Sequence, residues 1–321
     1  GDIYETKYGL TTSQRVYGTV MENREGNGPC YLRTEGISKE QEQDLYKAHL
    51  NMAPSQTLKW MEAGKGPSEE NVEIEGTEPY IVGGHTASGY WVDNNRATTI
   101  EGLYAAGDVA GGCPQKYVTG ALAEGEIAAE AILEYLNGKD DDRIAAENKE
   151  EGLERGGEQE LSQTAIAKKA EYESHLNASR SLMNAEQLEE AMQKIMDQYA
   201  GGIGTDYRYS GMSLAKADEK IAALLPVVDT LAATDTYELM QIYELRERLI
   251  VCQAVIAHLA ARKETRWHSF GENTDYPQQS EEWMKYVNSR MENGEIKILY
   301  RDLITKENTG LNTAEKGAGE R

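Results

Sequence analysis

Between Leu103 and Leu136 the chain passes from small apolar residues through a glycine turn into a long Ala/Leu/Ile/Glu segment. No other feature constrains its fold as strongly. Leu103–Ala106 reads as a short buried strand of the parallel type. Gly107-Asp108 closes it, Gly111-Gly112 prolongs the turn, and Thr119-Gly120 opens a helix expected over Ala121–Leu136. A strand, a glycine turn and a helix start together aim backbone N–H groups and the positive end of a helix dipole at an electron-rich ligand. Lys116 would add a positive charge there, and Gly120 would let a ligand approach the backbone closely. The same pattern also suits an ordinary strand–loop–helix connection whose glycines serve only turn geometry.

At 321 residues the chain is long enough for two domains, or for one domain with a helical appendage. Its formal net charge of -22 is spread along the sequence, which argues against nucleic acid as a partner. A small anionic substrate stays open, because a few local arginines can act against the overall field. No apolar run approaches the roughly 20 residues needed to span a bilayer, and no signal peptide is read at the start. Cys30, Cys113 and Cys252 are far apart and form no CxxC pair. A disulfide framework or a metal site is therefore not expected, and a reducing cytoplasm fits best.

Along the chain, Thr12–Glu25 has helical spacing and is stopped by Gly26-Asn27-Gly28-Pro29. Cys30–Arg33, Val72–Ile74 and Tyr90–Val92 read as short strands, and Lys39–Lys59 as a helix broken near Pro54. Residues 139–160 are rich in charge and poor in bulky apolar side chains, so an exposed linker or insertion is expected there. Asn184–Tyr199, Ser213–Leu231 and Thr236–Arg262 read as amphipathic helices with short connections, hence a small antiparallel bundle. The stripe expected on the last comprises Leu239, Ile242, Tyr243, Ile250, Val255 and Leu259. Trp283–Arg290 is expected to be a short helix and Ile296–Arg301 a short terminal strand, with a disordered tail.

TIEGLYAAGDVAGG followed by KYVTGALAEGEIAAEAI resembles the second flavin-contacting segment of the FAD-dependent fumarate reductase and succinate dehydrogenase flavoproteins. Within that family, Lys116, Thr119-Gly120-Ala121 and Ala123-Glu124-Gly125 are similar to the adenylylsulfate reductase alpha branch. An RLGGN-type arginine, typical of the dicarboxylate enzymes, is not seen. Glu78-Pro79-Tyr80, Gly84-His85-Thr86 and Tyr90-Trp91-Val92 resemble the segment that presents a substrate-contacting histidine. Arg15 ahead of Asn27-Gly28-Pro29 is similar to an active-site arginine before a GxGP turn. Residues 264–283, ETRWHSFGENTDYPQQSEEW, resemble a helical-domain segment of the family.

The resemblance implies an α+β fold with five parts. Residues 1–92 would be the end of a capping domain and the return to the FAD domain, and 93–138 the FAD-domain strand, turn and helix. An acidic linker at 139–160, a helical domain at 161–295 and a C-terminal strand and tail at 296–321 would follow. It implies FAD as cofactor, held by Gly107, Asp108, Lys116, Thr119, Gly120 and Ala121, with Arg15 and His85 as catalytic residues and no metal ligands. The implied partner is an iron–sulfur electron-transfer subunit. The GxGxxG turn that binds the ADP half of FAD is missing, since Gly201–Gly204 follows no strand. The chain is thus expected to be the C-terminal part of a larger flavoprotein, or a half-subunit that completes a flavin site with a separate N-terminal half. A dicarboxylate oxidoreductase is the alternative enzyme.

Overall fold

The computed structural model describes residues 12–52, 54–74, 89–112, 118–147, 154–179, 182–266 and 271–303. The N-terminal portion begins with α1 (Thr12–Arg24), which ends in a turn at Gly26 with φ +83°. β1 (Cys30–Leu32) follows, pairing antiparallel with β2 (Val72–Ile74), Cys30 opposite Ile74. Between them lie α2 (Lys39–Met52) and α3 (Pro54–Ala63), divided where proline cannot continue a helix. Trp60 of α3 is buried, with the rings of Tyr46 and His49 edge-on at 5.1 and 5.0 Å.

α4 (Val118–Glu147) and α5 (Glu154–Leu176) come next. The charged stretch 139–160, read from the sequence as a linker, is thus helical up to Glu147 and again from Glu154. Low apolar content does not by itself prevent a helix: Lys139, Arg143, Ala145, Ala146 and Glu147, and the Glu, Arg and Gln of 154–160, have good helix propensity, which outweighs Asp140–Asp142 and Gly156-Gly157 here.

The main core lies in three helices, α6 (Ala185–Tyr199), α7 (Gly211–Val228) and α8 (Thr236–Ala261). Leu188, Met192 and Met196 meet Leu214, Ala217 and Ile221 and the stripe Ile242, Leu245, Leu249 and Ile256. Each large aliphatic side chain so buried is worth about 1.5–3 kcal/mol. Leu239, Val255 and Leu259 pack at the edge of this core, whereas Ile250 points outward. The stripe on α8 is therefore rotated from the one expected, centred on Leu245 and Leu249. Two helices start with reciprocal caps: Asn184 with Gln187, and Ser210 with Ser213. α5 is fixed to the bundle by His175, whose buried Nδ1 lies 2.7 Å from the Leu231 carbonyl.

β3 (Arg208–Tyr209) and β4 (Glu272–Asn273) form a two-residue parallel pair beside the bundle. β5 (Lys285–Glu292) and β6 (Glu295–Asp302) form an eight-residue antiparallel hairpin. The helix expected at Trp283–Arg290 is therefore a strand. The turn explains why: Asn293 and Gly294 have φ +51° and +82°, the Asn-Gly arrangement that hairpins favour. The hairpin reaches back to residues 89–110, because the Arg301 guanidinium stacks 3.7 Å from the centre of the Trp91 ring.

Candidate functional site

Residues 89–112 form a small meander built from single bridges. Leu103–Ala106 is not a strand here, and Tyr104 makes one antiparallel bridge, with Ala97. Tyr90 and Val92, also read as a strand, make one bridge each, with Ala110 and Thr98. An apolar run becomes a strand only where a neighbour supplies a ladder, and among the described residues none does. Turn chemistry holds the meander instead. Asp93 accepts the Asn95 and Ala97 N–H groups at 2.8 and 3.0 Å, and Ala105 N–H bonds back to the Arg96 carbonyl at 3.0 Å.

The turn itself is tight. Tyr90 N–H donates to the Val109 carbonyl and Gly111 N–H to the Tyr90 carbonyl, both at 2.8 Å. Gly107 has φ +73° and opens a single 3-10 turn, Gly107–Val109. A Cβ at Gly107 would lie 3.1 Å from the Ala121 Cβ, so the glycine lets the turn rest directly on the first turn of α4. Asp108, Val109 and Thr119 face outward, Ala121 is exposed beside Gly107, and Gly120 is half-buried.

One group here escaped the sequence reading. The Glu124 carboxylate is buried between α4 and the turn, 3.2 Å from Arg96 Nε and 3.4 Å from the Gly107 N–H that it accepts. Arg96 is in the left-handed region, φ +64°. Nothing local pairs residues 96 and 124; only the folded turn brings them together. The pair occupies the Gly107 N–H from behind, so that N–H cannot also bind a ligand. What remains toward solvent is the backbone of Asp108 and Val109 beside the start of α4, whose first N–H groups have no intrahelical acceptor. Glycine at 107 and 120 and small residues at 119 and 121 leave the backbone of this ledge little covered by side chains.

Of the residues singled out from the sequence, the structure therefore brings Gly107, Asp108, Thr119, Gly120 and Ala121 together. Arg15 lies in α1, and its side chain is outside the described residues, as are His85 and Lys116. Among the described residues no group of acidic, histidine or cysteine side chains could hold a metal, and no helix is long and apolar enough to cross a membrane.

Residues 189–315 match the family described as fumarate reductase flavoprotein C-term. The chain is 28% identical to the adenylylsulfate reductase subunit alpha of Megalodesulfovibrio gigas, over 89% of this chain and 48% of that one. It superposes on a structure of adenosine-5-phosphosulfate reductase in complex with sulfite as a covalent adduct. There the TM-score is 0.72 and the identity 28%, covering 93% of this chain and 51% of the other. E. coli quinol fumarate reductase shares the fold with TM-score 0.67 at 18% identity, over 95% of this chain and 52% of that one. The chain thus spans about half the length of the relatives it matches. The chain is homologous to the C-terminal part of the fumarate reductase and adenylylsulfate reductase flavoproteins, as the sequence motifs implied. Those homologues are FAD-dependent oxidoreductases.

Proposed function

We propose that this chain is the C-terminal half of a flavoprotein subunit of the adenylylsulfate reductase type, acting in the reduction of adenosine 5'-phosphosulfate to sulfite and AMP. The observation that carries the reading is the difference between the two branches. The adenosine-5-phosphosulfate reductase matches at 28% identity and TM-score 0.72. The fumarate reductase match has 18% and 0.67 at comparable coverage.

In this reading Gly107, Asp108, Thr119, Gly120 and Ala121 would hold FAD, with Lys116 adding positive charge. Bound FAD would supply the electrons for the reduction. The chain's own contribution is electrostatic and positional. The α4 N-terminus favours negative charge on the ring. Arg15 would fork onto the anionic substrate and His85 would contact or protonate it. An iron–sulfur subunit would deliver electrons, since the sequence has no cysteine set for a cluster, and the complex would work in the cytoplasm. Residues 1–92 would end the capping domain, 93–138 belong to the FAD domain, and the later segments form the helical domain and its C-terminal hairpin.

The test is a flavin titration of the chain together with an N-terminal FAD-binding half, followed by reduction and addition of oxidant. Reoxidation by adenosine 5'-phosphosulfate and not by fumarate is expected. Reoxidation by fumarate alone would move the assignment to the dicarboxylate branch. Absence of flavin binding would leave a non-catalytic half-subunit.

A further inference from the structure

In the meander at 89–112 only Ala105, Gly107 and Ala110 are buried, so its position depends on what ties it to other elements. Gly107 and Arg96 hold it to α4. Trp91 holds it to the C-terminal hairpin. Arg301 on β6 and Tyr286 on β5 are cross-strand partners, so their side chains share one face of the hairpin. The Arg301 guanidinium lies 3.7 Å from the centre of the Trp91 ring and 5.2 Å from that of Tyr286. Its Nε donates to Asn288 Oδ1 at 2.9 Å, which orients the guanidinium plane. Trp91 Nε1 is buried and, among the described residues, has no hydrogen-bond partner, so stacking and packing set the orientation of the ring. The hairpin is itself fastened to the end of α8. Arg262 donates to the Trp283 and Lys285 carbonyls, both at 2.9 Å, and His258 Nε2 lies 2.9 Å from Ser289 Oγ. Arg301 therefore joins the well-packed bundle to a segment with little core of its own.

Trp91 is one residue away from direct contact with the glycine turn. Tyr90 N–H donates to the Val109 carbonyl, and Gly111 N–H to the Tyr90 carbonyl. A Cβ at Gly89 would strike the Val109 carbonyl oxygen at 2.6 Å, so the two backbone segments touch. Moving Trp91 moves Tyr90, and with it the turn Gly107–Val109. We propose that Arg301 is a positioning residue for that turn: it clamps Trp91 from the hairpin and thereby holds the backbone of Asp108 and Val109 against the start of α4. A guanidinium suits the task because it lies flat on a ring while its N–H edge still bonds a neighbour. The consequence for a cofactor rests on the functional reading above. A turn held in one arrangement retains flavin, and a loosened one releases it.

The experiment is amide hydrogen exchange at Tyr90 and Gly111 in the chain without cofactor, with amides of α6–α8 as internal reference. The variants are Arg301→Gln, Trp91→Leu, Trp91→Phe, the double variant Arg301→Gln/Trp91→Leu and the control Lys297→Gln on the same strand. Arg301→Gln and Trp91→Leu should each speed exchange at both amides about tenfold while the reference amides and the control stay as in wild type. Trp91→Phe keeps a ring face and should stay closer to wild type than Trp91→Leu. The double variant should be no faster than the faster single one, because both remove the same interaction. Additive effects, unchanged exchange in Arg301→Gln, or an equal speeding of α6–α8 would each overturn the proposal, the last by showing general destabilisation. Flavin absorbance of the same variants with an N-terminal FAD-binding half separates the two readings. If wild type binds no flavin while the exchange results hold, the functional reading fails and the clamp stands. If wild type and Arg301→Gln retain flavin equally and exchange is unchanged, the clamp fails and the functional reading stands.

Discussion

Gly107 and Gly125 are both glycines near or in α4, yet their substitution by alanine should have opposite effects. At Gly107 the backbone is left-handed and the new Cβ would press on Ala121. The conformation alone costs about 1–2 kcal/mol, and the start of α4 must shift to admit the methyl. Gly107→Ala should therefore lower the urea midpoint and weaken flavin retention in the assembled protein. At Gly125 the methyl enters open space, and alanine in an exposed helix is favoured by about 1 kcal/mol, so Gly125→Ala should raise the midpoint. Glu264 provides a pH test. Its side chain is fully buried, and burial alone would raise the pKa. Arg266, bidentate at 2.8 and 2.9 Å, the Ser280 N–H at 3.0 Å and Arg262 at 2.7 Å outweigh that and hold the carboxyl below its ordinary value. A depressed carboxylate contributes stability above the unfolded pKa of 4.5 and loses it as pH falls through the folded value. Glu264→Gln should destabilise by about 3 kcal/mol at pH 7 and flatten the loss of stability below pH 4.5 in denaturant titrations.

At the scale of elements, the N-cap of α6 is the simplest lever. The Asn184 side chain accepts the Gln187 N–H at 2.9 Å, and its backbone N–H donates to Gln187 Oε1 at 3.1 Å, so Asn184→Ala should cost about 1 kcal/mol, measurable as a lower thermal midpoint. This helix was readable from the sequence because its period, cap and Gly201 stop all agree. Period with a Gly26–Pro29 or Pro54 break made α1, α2 and α3 legible, and short apolar runs between turn residues made β1 and β2 so. The strand read at Ile296–Arg301 is β6, but its partner β5 was missed because Lys285–Glu292 lacks a clean alternation, and the Asn293-Gly294 signal lies beyond the segment read as a helix. Leu103–Ala106 failed for the opposite reason: its apolar content is that of a strand, but strand formation depends on neighbours at other places in the chain. At the candidate site, the turn glycines could be read because each glycine answers a local demand. The Arg96–Glu124 pair could not, since it is created only when the turn closes on α4. A second element-scale test is the contact between α8 and β5, where His258 Nε2 lies 2.9 Å from Ser289 Oγ. Burial, then Arg262, lowers the histidine pKa below 6.5. A lowered histidine gives stability at pH above its unfolded value that fades as pH falls toward the folded one. Stability should therefore fall as pH drops below about 6.5, and His258→Gln should remove that part of the slope.

Across the whole molecule, burial is uneven. The large cluster belongs to α6, α7 and α8, whereas the meander and α4 bury few side chains larger than alanine. Local stability follows local burial, so hydrogen exchange should rank the two regions. Amides of α6–α8 should exchange only with global unfolding. Those of Tyr90, Ala105 and Gly111 should exchange through smaller openings, orders of magnitude faster, because their bonds close short turns. The net charge of -22 acts over the same scale, since self-repulsion opposes the compact state and salt screens it. Raising sodium chloride from 10 to 300 mM should thus slow exchange in both regions. Addition of an N-terminal flavin-binding half should slow it at the meander and α4 while leaving α6–α8 almost unchanged. A uniform slowing would mean that the partner stabilises the bundle directly. Slowing confined to 89–136 would place the energetic gain where the chain leaves its apolar surface uncovered.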